Sequence, residues 1–198
     1  MIYVLTGNGK GKTTSALGMG LRAAGAGKNV LMAQFLKDGS SSEIKEIKKI
    51  SNFQTKSFGR PGFGPYSEKD SRLAKSGFLF AKKFCLLASL RLRRSGPAGR
   101  AQSQKYALLI LDEINVAMHF KLIGIKEVVE FLREYGKNID IVLTGRYCPK
   151  EIIKVADLVT EFKEIKHYFK KACLLASLRL RRSGPAGRAF KARKGIEL

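Results

Sequence analysis

The sequence predicts an α/β fold, in which a mostly parallel sheet of about six strands lies between two layers of helices. Short apolar runs recur along the chain, and segments with helical periodicity separate them. Strands that alternate with helices in this way pair in parallel through right-handed crossovers. The run YALLIL at Tyr106–Leu111 is apolar throughout, which is typical of a strand buried on both faces.

Each predicted strand is an apolar run bounded by turn or polar residues. In chain order the strands are Ile2–Leu5, Asn29–Phe35, Phe53–Phe58, Tyr106–Leu111, Ile139–Thr144 and Leu158–Phe162. Each predicted helix carries apolar residues on one face or begins at a capping residue or proline. The helices are Thr13–Ala24, Glu43–Ile50, Ser67–Phe84, Ile125–Tyr135 and Pro149–Ala156. Because ligands of such sheets bind beyond the carboxyl ends of the strands, we expect the functional residues there.

A glycine-rich segment, Thr6–Thr14 (TGNGKGKTT), joins the first strand to the first helix. Its glycines let backbone N–H groups turn toward anionic oxygens, and the helix N-terminus adds partial positive charge. The usual spacing, G-x-x-x-x-G-K-[ST], would put a glycine at Thr6, so here the first glycine comes one position late. We interpret the segment as a variant loop for the triphosphate of ATP, formed by Gly7, Asn8, Gly9, Lys10, Gly11, Lys12, Thr13 and Thr14.

Two acidic residues, Asp112 and Glu113, follow directly on the buried run YALLIL. Carboxylates in that position are costly unless they meet a cation or water. In nucleotide-binding folds an acid in this place holds the Mg²⁺ that the phosphates share. The loop and the acids therefore predict one metal site with Thr13, Asp112 and Glu113 as ligands, in a P-loop NTPase (RecA-like) fold. Two alternatives stay open: Glu113 could orient a nucleophile, or both acids could cap the next helix.

One 17-residue sequence, CLLASLRLRRSGPAGRA, occurs twice without a difference, at Cys85–Ala101 and Cys173–Ala189. Structural repeats diverge and recur at a regular period. We therefore interpret the copies as inserts into a single domain that spans residues 1–198. The alternative is a pair of basic clamps for nucleic acid or lipid, each a short amphipathic helix that ends at a segment such as Ser95–Pro97.

The net charge of +22 is of the kind found in proteins that bind nucleic acid. The two copies hold eight of the arginines, however, and the lysines elsewhere are scattered, so no nucleic acid partner is expected. No apolar run approaches the ~18 residues of a membrane span, and no signal peptide precedes the first motif. The three cysteines form no metal or disulfide pattern. We expect a cytoplasmic protein without a membrane partner.

Several stretches, in this order, resemble one family, the P-loop ATP:corrinoid adenosyltransferases of the BtuR/CobO/CobP type. They are Gly7–Thr14 (GNGKGKTT), Val30–Lys37 (VLMAQFLK), Leu109–Ala117 (LILDEINVA), Val142–Arg146 (VLTGR), Ala156-Asp157, Lys166-His167 and Lys191–Glu197 (KARKGIE). Together they span nearly the whole chain outside the two copies. The loop variant with LDEIN and TGR in order makes the resemblance specific.

The resemblance implies transfer of the 5′-deoxyadenosyl group of ATP to the cobalt(I) of a corrinoid, which forms an adenosylcobalamin-type cofactor and releases triphosphate. Lys12 would bind the leaving triphosphate as a catalytic residue, and Thr13 and Glu113 would bind its Mg²⁺ or Mn²⁺. Arg146 would contact the nucleotide, unless it is an ordinary surface arginine. A reductant or reductase would supply cobalt(I). Family members are often homodimers, so the resemblance also implies a homodimer.

The family uses an aromatic-bearing loop to displace the lower axial ligand of the corrinoid. Its counterpart here is Gly59–Tyr66, with Phe63 and Tyr66 as the candidate residues, and ordinary loop packing is the alternative. Two other functions remain open. A RecA-like ATPase that acts on nucleic acid would need Glu113 to position water and a strand-binding groove. The other open function is that of a relative that binds ATP or corrinoid but is catalytically impaired by the inserts.

Overall fold

Six parallel strands form one sheet in the order β3-β2-β4-β5-β1-β6. The structure, a computed structural model, describes residues 1–61, 64–94 and 107–166. The strands are β1 (Ile2–Thr6), β2 (Asn29–Phe35), β3 (Phe53–Phe58), β4 (Ala107–Asp112), β5 (Asp140–Thr144) and β6 (Leu158–Glu161). The helices are α1 (Lys12–Gly25), α2 (Ser42–Ile47), α3 (Glu68–Arg94), α4 (Ile114–His119), α5 (Ile125–Tyr135) and α6 (Lys150–Val155). The predicted α/β fold is confirmed.

Helices cover both faces of the sheet because side chains alternate along each buried strand. In β2, Leu31 and Ala33 point into a core shared with α3, α4, α5 and α6. Val30 and Met32 point the other way, into a second core shared with α1 and α2. The three layers bring the carboxyl ends of β1, β2, β4 and β5 to one edge of the sheet, where the loops that follow them meet.

Helix α3 continues beyond the predicted end at Phe84, as far as Arg94. Its buried stripe includes Ala74, Phe78, Ala81 and Cys85, and this spacing keeps one face toward the core. The first residue of the repeated sequence therefore continues the pattern of the helix before it. The short amphipathic helix of the alternative, basic-clamp interpretation is part of α3 as far as the structure describes it. The rest of this copy and the whole second copy lie outside the described residues.

The remaining differences from prediction are small. Strands β2 and β3 and helix α5 have the predicted bounds, and most other ends shift by one or two residues. Helix α2 ends earlier than predicted, at Ile47. Helix α4 was not predicted, because it is short and follows at once on the acidic pair. Among the residues that the structure describes, no helix is long and apolar enough to cross a membrane.

Candidate functional site

The glycine-rich loop runs from the end of β1 to the first turn of α1. Gly7 and Gly11 have φ angles of 100° and 109°, a left-handed conformation that favours glycine. The N–H of Gly9 donates to the carbonyl oxygen of Phe162 at 2.7 Å. A Cβ on Gly9 would lie 2.9 Å from that same oxygen. The chain after β6 thus packs directly on the loop and leaves room only for glycine.

Within this loop the ammonium of Lys12 donates to the carbonyl oxygen of Gly9 at 2.6 Å. Lys12 is 7% exposed, and burial lowers the pKa of its amine although the negative charge of Glu113 opposes the shift. Asn8, Lys10 and Thr14 are exposed on the loop. The structure therefore brings one buried and one exposed lysine to the predicted phosphate site, beside the N-terminus of α1.

Asp112, at the end of β4, is fully buried and is the centre of a hydrogen-bond network. Its Oδ1 accepts bonds from the hydroxyls of Thr13 at 2.9 Å and Thr144 at 2.7 Å. Its Oδ2 accepts bonds from Lys37 at 2.8 Å and Gln34 at 3.2 Å. Since a carboxylate offers about four lone-pair sites, these four donors use its capacity. Asp112 thus accepts the proton of the Thr13 hydroxyl and fixes its direction, while Lys37 balances its charge.

Glu113 is the second acid, and its carboxyl interacts electrostatically with Lys12 of the loop. Its backbone has a φ of 63°, an uncommon left-handed conformation of the kind that concentrates at functional sites. The N–H of Glu113 is held by the hydroxyl of Thr144 at 3.0 Å. Burial, and then the charge of Asp112, raise the pKa of the Glu113 carboxyl, and the cations Lys37, Lys12 and Arg146 act against that shift. The carboxylate therefore sits within electrostatic range of the phosphate loop.

Three of the residues around Asp112 were not predicted as site residues: Gln34, Lys37 and Thr144. Gln34 is in register with Asp112 across β2 and β4, and its amide oxygen accepts a bond from Ser57 at 2.9 Å. Thr144 is the last residue of β5, and Lys37 lies two residues beyond β2. All three lie at or near carboxyl ends of parallel strands. The rule that ligands bind at these ends would have marked them as candidates, although not their hydrogen bonds to Asp112.

Arg146 and Tyr66 extend the site on two sides. The guanidinium of Arg146, which is exposed, has one nitrogen 3.5 Å from the carbonyl oxygen of Asn8, a long contact. The ring of Tyr66 packs on Phe120 with 4.6 Å between centroids. Burial, followed by the charge of Glu113, raises the pKa of the Tyr66 hydroxyl. The other predicted corrinoid residue, Phe63, lies outside the described residues.

The donor set fits a magnesium ion that is shared with a nucleotide. Among the described residues, no group of three or more His, Cys, Asp or Glu side chains could hold a metal by itself. Mg²⁺ is usually bound through one or two protein oxygens together with substrate phosphates. Thr13 gives its proton to Asp112 and accepts a hydrogen bond from Lys37, so one lone pair of its hydroxyl oxygen remains for a metal. Thr13 and Glu113 are therefore suitable protein ligands for such an ion.

Comparison with known proteins identifies the family of this chain. Residues 1–176 match the family described as ATP:corrinoid adenosyltransferase BtuR/CobO/CobP. A corrinoid adenosyltransferase of Sinorhizobium sp is 31% identical over 176 residues, which cover 86% of this chain and 75% of the relative. The corrinoid adenosyltransferase of Escherichia coli (strain K12) is 30% identical over 85% of this chain and 79% of its own length. Corrinoid adenosyltransferase CobA of Salmonella typhimurium is 29% identical over the same shares of the two chains. The chain therefore belongs to the ATP:corrinoid adenosyltransferase family.

Proposed function

We propose that this chain transfers the 5′-deoxyadenosyl group of ATP to the cobalt(I) of a corrinoid and releases triphosphate. The observation that carries the proposal is the hydrogen bond that Thr13 of the phosphate loop donates to the buried Asp112 at the end of β4. It joins the two predicted halves of a nucleotide site in a chain whose family and named relatives are corrinoid adenosyltransferases.

In this reaction an electron pair of cobalt(I) forms a bond to C5′ of the ribose, and the bond from C5′ to the triphosphate oxygen breaks. Cobalt is oxidised formally by two electrons, and triphosphate leaves with the electron pair of the broken bond. Because cobalt(I) is itself a strong nucleophile, the protein needs no general base. Its tasks are to hold C5′ in line with the cobalt and to stabilise the negative charge that develops on the leaving triphosphate.

The loop residues suit the second task. The N-terminus of α1 and the ammonium groups of Lys10 and Lys12 would act on the phosphates. To reach them, the Lys12 amine has to leave the carbonyl oxygen of Gly9, to which it donates at 2.6 Å. Arg146, next to Asn8, would close the site from the β5 side. These groups would bind the leaving triphosphate rather than the 5′-deoxyadenosyl group that is transferred.

Thr13 and Glu113 would hold Mg²⁺, or Mn²⁺ in its place, and Asp112 would orient the Thr13 hydroxyl from behind. When bound, the ion supplies positive charge against the triphosphate. Tyr66 and Phe63 are the residues proposed to contact the corrinoid. A reductant or reductase would supply cobalt(I), and no nucleic acid partner is proposed. The chain would form a homodimer, each copy a single domain with two inserts. The free Cys85 and Cys148 are compatible with the reducing cytoplasm.

A product assay tests the proposed reaction. The full chain is incubated anaerobically with ATP, Mg²⁺ and chemically reduced cobalamin, so that no reductase is needed. We expect the spectrum of adenosylcobalamin to appear together with one equivalent of triphosphate. Lys12→Met should abolish product formation, whereas Lys49→Met, at an exposed ion pair with Glu46 on α2, should leave it unchanged. Release of orthophosphate alone, without a cobalt–carbon bond, would contradict the proposal and favour an ATPase.

A further inference from the structure

Lys37 contacts both Thr13, a proposed metal ligand, and Asp112, which accepts the proton of the Thr13 hydroxyl. Its ammonium donates to the Thr13 hydroxyl oxygen at 3.1 Å and to Asp112 Oδ2 at 2.8 Å. We propose that Lys37 is an exchangeable internal cation, which occupies the Thr13 oxygen until ATP brings the divalent metal and then yields that oxygen to it. This inference rests on the proposed function, because it requires the metal site at Thr13 and Glu113.

The Thr13 hydroxyl is the point of competition. It has one proton, which it donates to Asp112, and two lone pairs. Lys37 uses one lone pair for its hydrogen bond, and a bound metal would use the other, so the competition arises from charge. An ammonium and a divalent cation on the same oxygen would lie within a few ångströms of each other and repel strongly. Both therefore do not occupy Thr13 together.

The surroundings allow the Lys37 side chain to move while its backbone stays in place. Gly59 lies against the backbone of Leu36 and Lys37, so closely that a Cβ there would clash. The N–H of Leu36 donates to the carbonyl oxygen of Phe58 at 3.3 Å. The Lys37 side chain, in contrast, is 32% exposed and ends on a flexible four-carbon stem. The ammonium can leave Thr13 by side-chain rotation and keep its bond to Asp112.

Two consequences follow from this exchange. Lys37 supplies the counter-charge that the buried Asp112 needs, so the site is stable without a metal. The same ammonium makes binding of a free divalent cation unfavourable, because the cation has to displace it without help from phosphates. Metal binding then depends on nucleotide, and by linkage the nucleotide binds more tightly with the metal.

Titration with Mn²⁺ in the absence of nucleotide tests the inference, with the free ion followed by electron paramagnetic resonance. The variant is Lys37→Gln, whose amide can still donate to Asp112 but carries no charge. We expect it to bind Mn²⁺ at least about tenfold more tightly than the unaltered chain. The matched control Lys49→Gln, which removes a lysine charge from an exposed ion pair, should bind Mn²⁺ as the unaltered chain does. Equal Mn²⁺ affinity of Lys37→Gln and the unaltered chain would overturn the proposal.

Thermal unfolding with and without Mg²⁺ gives a second readout. Lys37→Gln should unfold at a lower temperature than the unaltered chain, and Mg²⁺ alone should restore part of the loss. A loss that Mg²⁺ does not restore would show a merely structural role and overturn the proposal. To test the metal site itself, ATP affinity of the unaltered chain is compared in Mg²⁺ and in EDTA. Equal affinities would refute the site, whereas Mg²⁺-dependent affinity without the Lys37→Gln effect would refute the exchange alone.

Discussion

Replacement of Thr144 by valine removes one hydroxyl from the site without a change of shape. That hydroxyl is fully buried, donates to Asp112 at 2.7 Å and accepts the N–H of Glu113 at 3.0 Å. A hydrogen bond to a charged group contributes about 1.5–3 kcal/mol and a neutral one about 1 kcal/mol. Because the N–H of Glu113 would be left without its acceptor, we expect the free energy of unfolding to fall by about 2–4 kcal/mol.

A matched control is available in the same sheet. The hydroxyl of Thr55 on β3 is buried and has no hydrogen-bond partner in the part of the chain that the structure describes. Thr55→Val should therefore change the free energy of unfolding by less than about 0.5 kcal/mol, or raise it. Urea unfolding measures both variants, and for a chain of this size Thr144→Val should also lower Tm by roughly 4–16 °C. If Thr144→Val is no less stable than Thr55→Val, the network around Asp112 does not stabilise the site.

Three other predictions concern the loop, pH and thiol reactivity. Gly9→Ala should weaken ATP binding, measured by calorimetry, because its Cβ would meet the backbone of Phe162. The Cβ of Gly18→Ala on α1 meets nothing, so this variant should stabilise the helix by about 0.5–1 kcal/mol. Equal effects of the two substitutions on ATP binding would contradict this. Hydrogen bonds from Arg60, then Ser67, hold the pKa of Asp70 well below its ordinary range, so its contribution to stability is present above about pH 4 and lost below it. In urea unfolding, Asp70→Asn should lose less stability than the unaltered chain between pH 5 and 3, and parallel losses would refute this. Burial raises the pKa of Cys85 to about 12, so iodoacetamide at pH 8 should label it only after unfolding. The tryptic peptide FCLLASLR distinguishes Cys85 from the cysteine of ACLLASLR in the second copy. Equal labelling of Cys85 before and after unfolding would contradict its burial.

The strands were predictable because each is a short apolar run with polar or glycine-rich ends. The end of α3 was not, because the start of the repeated sequence was taken as a structural boundary. Cys85 occupies the next position of the stripe that Ala74, Phe78 and Ala81 begin, and leucine, alanine and arginine favour helix. An exact sequence repeat and a helix boundary are independent features. The continuity of the apolar face through Cys85 explains why the helix crosses the start of the repeated sequence.

The proximity of the loop and the acidic strand end was predictable, because each is a short motif at the carboxyl end of a strand. Thr13 and Asp112 were expected at one metal site, and their direct bond at 2.9 Å joins the loop to the acidic strand end. Lys37 and Thr144 were not assigned, because their contacts with Asp112 depend on side-chain distances between neighbouring strands. The order β2-β4-β5 brings them to Asp112 from opposite sides, and the sequence does not determine that order by itself.

The late glycine of the phosphate loop has a cause that lies far along the chain. Thr6 is still part of β1, and its carbonyl oxygen accepts the N–H of Phe162 at 2.8 Å. At Gly7 the chain turns into the left-handed region and passes against the backbone of Phe162, where no Cβ fits. The glycine requirement therefore begins at Gly7, because the strand continues through Thr6. Local spacing showed that the loop departs from the usual pattern, but the reason depends on β6, which pairs with β1 from the other end of the domain.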